Sequence, residues 1–305
     1  MNDGAACPVY SLIAGFSYVK GLDIMSRVAN ALGHASDRDR YGALADTARA
    51  GYHARFFDES IQAYGSNTSQ LSFQTLNVPG LVIDSMPPAV RPAVVAGLAH
   101  DLDNRTDYHL GTGAVTTKYL LNVLSENGLH NAALRVATQE SAPSWGFWHK
   151  QNATTCWESW GTGDSHNHIF LCGGVSEWIW AHLIGITPLS QGFGHVLVHP
   201  KVDCKLGPSD AQASLRTPHG TLRVNWQRAS GKITLNVTLP LGTTSTVVVP
   251  KPCSSSGGGT VDDFILSESG QLVSIGVASA RGAGADGVRV EVASGSYSFV
   301  AEEQP

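Results

Sequence analysis

The hydrophobic pattern of this chain changes period once, and that change restricts the fold more than any other feature. Up to about residue 187 the apolar residues recur at helical spacing; after Pro188 they alternate. From Val9 a helical stripe runs through Leu12, Ile13, Phe16, Val19, Met25, Val28 and Leu32, and Gly33 marks its end. Ser36 and Asp39 read as a capping box for a second helix through Tyr41, Leu44, Ala48, Tyr52 and Phe56. Pro87 and Pro88 suit the first turn of another, with Val90, Val94, Leu98 and Leu102 on one face. Thr117 to Leu124 closing at Gly128, a shorter segment to about Thr138, and Ile169 to Leu183 ending at Gly185 complete six or seven helices.

Beyond Pro188, Leu222, Val224 and Trp226 alternate with polar residues, as do Ile233, Leu235, Val237 and Leu239. Ser230-Gly231 between them predicts an antiparallel hairpin. Thr246 to Val249, Phe264 to Leu266, Val288 to Val292 and Tyr297 to Val300 add strands, and Ser254 to Gly259 reads as a flexible loop. The expectation is therefore a helical domain over 1–187 followed by a β-sandwich over 188–305.

With 305 residues, 42% of them hydrophobic and 15% charged, the chain can bury a sizeable core. The 20 basic and 25 acidic residues give a net charge of −5 with no basic run, which makes nucleic acid and anionic membrane poor partners. No apolar run approaches the roughly 18 residues of a membrane span. Met1-Asn-Asp-Gly lacks the basic start of a secretory signal, so a cytoplasmic chain is expected if Met1 is the true start. The five cysteines are scattered without a C-x-x-C pair, and no disulfide framework is expected. Sequons at Asn67, Asn104, Asn152 and Asn236 decide nothing.

Six of the seven tryptophans fall between Trp145 and Trp180. The stretch reads Pro143-Ser-Trp-Gly-Phe-Trp-His149, Asn152-Ala-Thr-Thr-Cys-Trp-Glu-Ser-Trp-Gly161 and Asp164-Ser-His-Asn-His168. Aromatic faces beside a carboxylate and neutral donors suit a sugar, which offers C–H faces to stack and hydroxyls to satisfy. Glu158, between Trp157 and Trp160, is the candidate acid/base group. Burial against indoles would raise its pKa, and hydrogen bonds from Thr154 or Thr155 would oppose that. A surface glutamate or structural acceptor is the other reading. His166 and His168 alternate, so one can donate to a sugar hydroxyl; with Cys156 and Cys172 they are alternatively a zinc set, and either is alternatively a structural histidine. Gly111 to Lys118 lacks the ending of a phosphate loop, and Asp164-Ser-His are direct neighbours that make no triad.

In order and spacing, six blocks resemble the bacterial-type α-L-rhamnosidases of glycoside hydrolase family 78: Gly111-Thr-Gly…Leu120-Leu, Pro143-Ser-Trp-Gly, Asn152-Ala-Thr-Thr-Cys-Trp-Glu-Ser-Trp, Ser165-His-Asn-His, Gly185-Ile…Gly192-Phe and Val198-His-Pro200. Gln62-Ala-Tyr and Ser69-Gln-Leu fit more loosely, and the resemblance covers roughly residues 10 to 250. It implies an (α/α) six-hairpin barrel, here partial, followed by an antiparallel β-sandwich, and inverting hydrolysis of terminal α-L-rhamnosides without a cofactor or metal. It implies Glu158 as general base and His168, with Asn167 beside it, on the rhamnose. Trp145 and Trp160 fall in matching blocks as walls of the pocket.

The family's acidic Asp/Arg/Glu/Trp motif, which holds the general acid, has no counterpart here; Asp37-Arg-Asp-Arg40 shares residue types only. Asp58, Glu59, Asp84 and Asp164 are the remaining acids to consider. The expectation is thus a truncated glycosidase with uncovered apolar helix faces, or, as the alternative, a non-catalytic carbohydrate-binding remnant.

Overall fold

A chain stripe of Leu12, Phe16, Val19, Leu22 and Ala29 has to bury itself, and it does so along the first helix, α1 (Pro8–Ala31). In this computed structural model residues 8–65, 72–254, 264–269, 271–272, 280–284 and 287–303 are described. Met1 to Gly4, Cys7, the sequon at Asn67, the Ser69-Gln-Leu block and residues 255–259 of the Ser/Gly tract lie outside them. The chain divides into two compact units, 1–175 and 176–305.

Gly33, at φ +77°, ends α1 as expected and turns the chain into α2 (Ala35–Phe56), which packs back along α1. Tyr52 lies against Gly15, where a Cβ would come within 3.2 Å of its ring. Arg49 of α2 ties the hairpin together through Asp23 of α1 at 2.8 Å, pairs with Asp46 of its own helix at 2.8 Å, and donates to the Ile83 carbonyl. The capping box at Ser36 and Asp39 does not form. His34 is the N-cap, no side chain caps the helix, and Asp39 pairs with Arg38.

On the other side of α1, Tyr10, Tyr18, Ile24, Met25, Val28 and Leu32 form a second, exposed apolar stripe. A helix that is apolar on both faces is built for two layers.

Two short strands, β1 (Phe57–Asp58) and β2 (Ala63–Tyr64), lead to α3 (Phe73–Val82), which the periodicity did not reveal. Asn77 serves α3 as a surrogate strand partner. Its Oδ1 accepts from the Tyr64 N–H at 2.8 Å and its Nδ2 donates to the Tyr64 carbonyl at 3.3 Å. The next helix, α4 (Arg91–Asn104), has Pro92 in its first turn, while Pro87 and Pro88 sit before it. Val94, Leu98 and Leu102 are its buried face. Then come α5 (Ala114–Glu126), closed near Gly128 at φ +80°, and α6 (His130–Ala137). A short α7 (Trp145–Lys150) and α8 (Phe170–Trp178) finish the helical unit, and a π-helical turn (179–183) carries α8 onward to Gly185. No described helix is long and apolar enough to cross a membrane.

In the second unit the alternating pattern becomes two sheets. The strands are β3 (Ile186–Pro188), β4 (His195–Val198), β5 (Asp210–Thr217), β6 (Gly220–Ala229), β7 (Lys232–Leu239), β8 (Thr244–Val249), β9 (Phe264–Glu268), β10 (Gln271–Leu272), β11 (Ala280–Gly284), β12 (Gly287–Val292) and β13 (Gly295–Glu303). One sheet runs β10-β9-β13-β7-β6-β5, the other β11-β12-β8-β4-β3. The described pairings are antiparallel except β4 with β8.

Ser230 and Gly231, at φ +44° and +75°, make the two-residue turn between β6 and β7, with Ala229 opposite Lys232. Inward residues of both sheets, among them Trp226, Leu235 and Phe299 from one and Val196, Val247 and Val288 from the other, share one core. Trp226 also donates its indole N–H to the Leu183 carbonyl at 2.8 Å. Cys204 and Cys253 form a disulfide in this unit.

Candidate active site

The tryptophan stretch folds locally because its indole N–H groups find backbone carbonyls and its loop finds itself. Ser144 caps α7, accepting from the Phe147 N–H at 2.9 Å, so the segment around Trp145 is a helix where the sequence reads as loop. That turn aims Trp145 and Trp148 inward. Trp148 stacks on Trp160 (4.7 Å, 26°) and tilts against Trp157 (5.8 Å, 40°); Trp160 meets Trp145 edge-on (5.5 Å, 88°). Four indoles thus form one continuous cluster with Leu171. Trp145 donates to the Leu171 carbonyl and Trp160 to the Thr112 carbonyl, each at 2.8 Å. Trp145 and Trp160 stay half-buried, while Trp148 and Trp157 are buried.

The loop after α7 pairs with itself in two rungs. The His168 N–H donates to the Cys156 carbonyl at 2.7 Å, and the Glu158 N–H to the Ser165 carbonyl at 2.8 Å. The Thr155 hydroxyl donates to the His166 carbonyl. Its proton is therefore committed to the loop and not to a carboxylate at Glu158. Glu158 itself is exposed, which corrects the expectation of burial between indoles: Trp157 turns in to Trp148, and the glutamate next to it turns out.

Of the two histidines, His166 lies flat on Trp157 (4.2 Å, 12°), with Nε2 3.2 Å from the Thr162 carbonyl. His168 is half-buried against Phe170 (4.7 Å), and its Nδ1 is buried without a hydrogen-bond partner among the described residues. Asn167 is exposed, with its backbone N–H on Ser165 Oγ at 3.3 Å.

Cys156 and Cys172 are joined to each other in a disulfide. This corrects two readings at once. The expectation of no disulfide framework falls, and the four-ligand zinc set with His166 and His168 does not exist, because a disulfide sulfur is not a thiolate ligand. The bond anchors the loop to α8, and α8 lies flush on α5 at Gly174, where a Cβ would stand 2.6 Å from the Lys118 Cα.

The other acids are committed or outward. Asp84 pairs with Arg91 at 2.7 Å. Asp58 accepts from the Ser60 hydroxyl and backbone N–H, which hold its carboxyl below the usual range. Glu59 and Asp164 are exposed. Asp101 is the buried carboxyl among the described residues of the unit, raised by burial against the opposing pull of Arg105 at 3.5 Å.

Residues 3–183 match the model of the bacterial α-L-rhamnosidase six-hairpin glycosidase domain, and residues 185–260 match that of the bacterial α-L-rhamnosidase C-terminal domain. The chain belongs to the bacterial α-L-rhamnosidase family. An α-L-rhamnosidase of Streptomyces avermitilis is 28% identical over 86% of this chain, and one of an Alteromonas species 27% over 79%. The α-L-rhamnosidase structure from Dictyoglumus thermophilum superposes with a TM-score of 0.84 at 28% identity, covering 94% of this chain and 31% of that one. That of the Streptomyces avermitilis α-L-rhamnosidase complexed with L-rhamnose gives 0.78 at 26% identity, with 95% and 26% covered. The chain spans about a quarter of the length of the curated relatives it matches.

Sequence reasoning named Glu158, His168, Asn167, Trp145 and Trp160, and the loop and indole cluster gather them into one segment of the first unit. It missed Trp148 as the centre of the stack, and Thr112 and Leu171 as indole acceptors. Backbone carbonyls carry no side-chain signature, so only the fold identifies them.

Proposed function

We propose that this chain carries the base-bearing side of an α-L-rhamnosidase site, in which Glu158 is the general base of an inverting hydrolysis of terminal α-L-rhamnosides. One observation carries the reading: the two-rung loop holds Glu158 and His168 on facing strands, against an indole cluster. An inverting hydrolysis needs a carboxylate open to water on the face opposite the leaving group. The exposure of Glu158 supports the first part of that requirement, openness to water. The half-buried His168 ring and the exposed Asn167 amide are the hydrogen-bonding side chains this loop offers to a sugar hydroxyl. Trp145 and Trp160 offer half-open indole faces to the apolar side of the deoxy sugar. The family match and the rhamnose-bound relative support the substrate class.

The second reading is rhamnose binding without turnover. It is favoured by the engagement of Asp84 with Arg91 and of Asp58 with Ser60, which leaves neither to protonate a leaving group.

Proton NMR of the first-formed sugar from an aryl α-L-rhamnoside separates these. The β anomer supports inversion, and the α anomer contradicts it. Saturable L-rhamnose binding without product supports the binding reading; neither binding nor product contradicts both.

A further inference from the structure

We propose that the Cys156–Cys172 disulfide is the positioning device of the sugar-site loop, fixing the strands that carry Glu158 and His168 onto α8; the role of those two residues rests on the reading above, but the clamp itself does not. The loop from Asn152 to Ile169 has no helix or long strand to hold it. Its internal order comes from the two rungs, Cys156 with His168 and Glu158 with Ser165, and from the Thr155 hydroxyl on the His166 carbonyl. These bonds set Glu158 relative to His168, but they fix nothing relative to the helices.

Two links do that. Trp160 reaches the Thr112 carbonyl ahead of α5, and Cys156 is bonded to Cys172 within α8. The disulfide leaves the very residue whose carbonyl receives the His168 N–H, so it acts on the rung and not on the loop tip. It closes a segment with a sequence separation of 16. A closure of that length removes a large part of the freedom of an otherwise irregular loop. Both cysteines are partly buried against the indole cluster. The far end of the bond is rigid because Gly174, two residues on in α8, lies in contact with the Lys118 backbone of α5.

The test compares two double variants of the whole chain, Cys156→Ser/Cys172→Ser and Cys204→Ser/Cys253→Ser, by amide hydrogen exchange of residues 153–168 and by L-rhamnose titration. The clamp predicts that the first pair raises exchange across the loop by about tenfold or more while α4 and α5 keep their protection, and that the second pair leaves the loop unchanged. Loop exchange equal to wild type in the first pair overturns the proposal. The same rise in both pairs also overturns it, since that would be a general loss of stability. If the first pair fails to fold, phosphine reduction of the folded Cys204→Ser/Cys253→Ser variant, which keeps the loop disulfide and lacks the other, gives the same comparison. Where rhamnose binds the wild type, affinity falls about tenfold or more with the loop. Where it does not bind even the oxidised wild type, the functional reading fails and the exchange result still decides the clamp.

Discussion

The indole N–H of Trp160 donates to the Thr112 carbonyl at 2.8 Å, tying the loop that carries Glu158 to a segment 48 residues earlier. The same ring stacks on Trp148, so one side chain fixes the loop by a directional bond and by packing. Glu158 shares in that anchorage through its neighbour two residues on.

Trp160→Phe separates the two contributions. A phenyl ring keeps part of the stack and cannot donate, leaving the Thr112 carbonyl without this partner. A loss of about 0.5–1.5 kcal/mol is expected. Urea unfolding should show a lower midpoint with an unchanged slope. An unchanged midpoint would remove the bond from the account.

His168→Ala removes the ring whose Nδ1 stands buried and unpartnered among the described residues. L-Rhamnose affinity should weaken by about 1–3 kcal/mol, roughly five- to 150-fold, measured by calorimetry. Unchanged affinity would make His168 a packing residue against Phe170.

Gly174→Ala tests the seat of α8. The added Cβ would stand 2.6 Å from the Cα and 2.8 Å from the carbonyl oxygen of Lys118, both backbone atoms that yield little. Overpacking of this kind costs about 1–3 kcal/mol. Because Leu171 and Cys172 ride on the same helix, the emission of the Trp145 cluster should shift as well. Wild-type stability and emission together would show that α8 has slack.

Asp101 makes a pH prediction. Burial raises its folded-state pKa above the unfolded value, so the folded protein binds the proton more readily. Stability therefore falls as pH rises from the unfolded pKa through the folded one, and the ionised carboxylate is a cost above that window. Asp101→Asn should raise the melting temperature at pH 7 and lose that advantage near pH 3. A fall at pH 7 would mean that the contact with Arg105 outweighs burial.

Sequence legibility followed the range of the forces involved. The β6–β7 hairpin was readable because alternation from Leu222 to Leu239 and a Ser-Gly turn are local signals, and α1 ended at Gly33 for the same reason. The blocks that hold Glu158, His168 and Asn167 were readable as family motifs, and the roles of those residues stay with the proposal above. The capping box failed because Ser36 lies inside the helix, one position past its start, where its hydroxyl caps nothing. α3 escaped because its buried face includes Gln74 and Asn77, polar residues paid for by bonds to distant backbone. The pairing of Cys156 with Cys172, and the outward turn of Glu158, depend on how α8 and the indole cluster meet the loop. Spacing alone contains neither.

The central claim is tested most directly by Glu158→Gln, assayed side by side for L-rhamnose affinity and for aryl α-L-rhamnoside turnover. The account predicts affinity within a few-fold of wild type and kcat at least about 10²-fold lower, as for loss of a general base. A variant that turns over at the wild-type rate would contradict it.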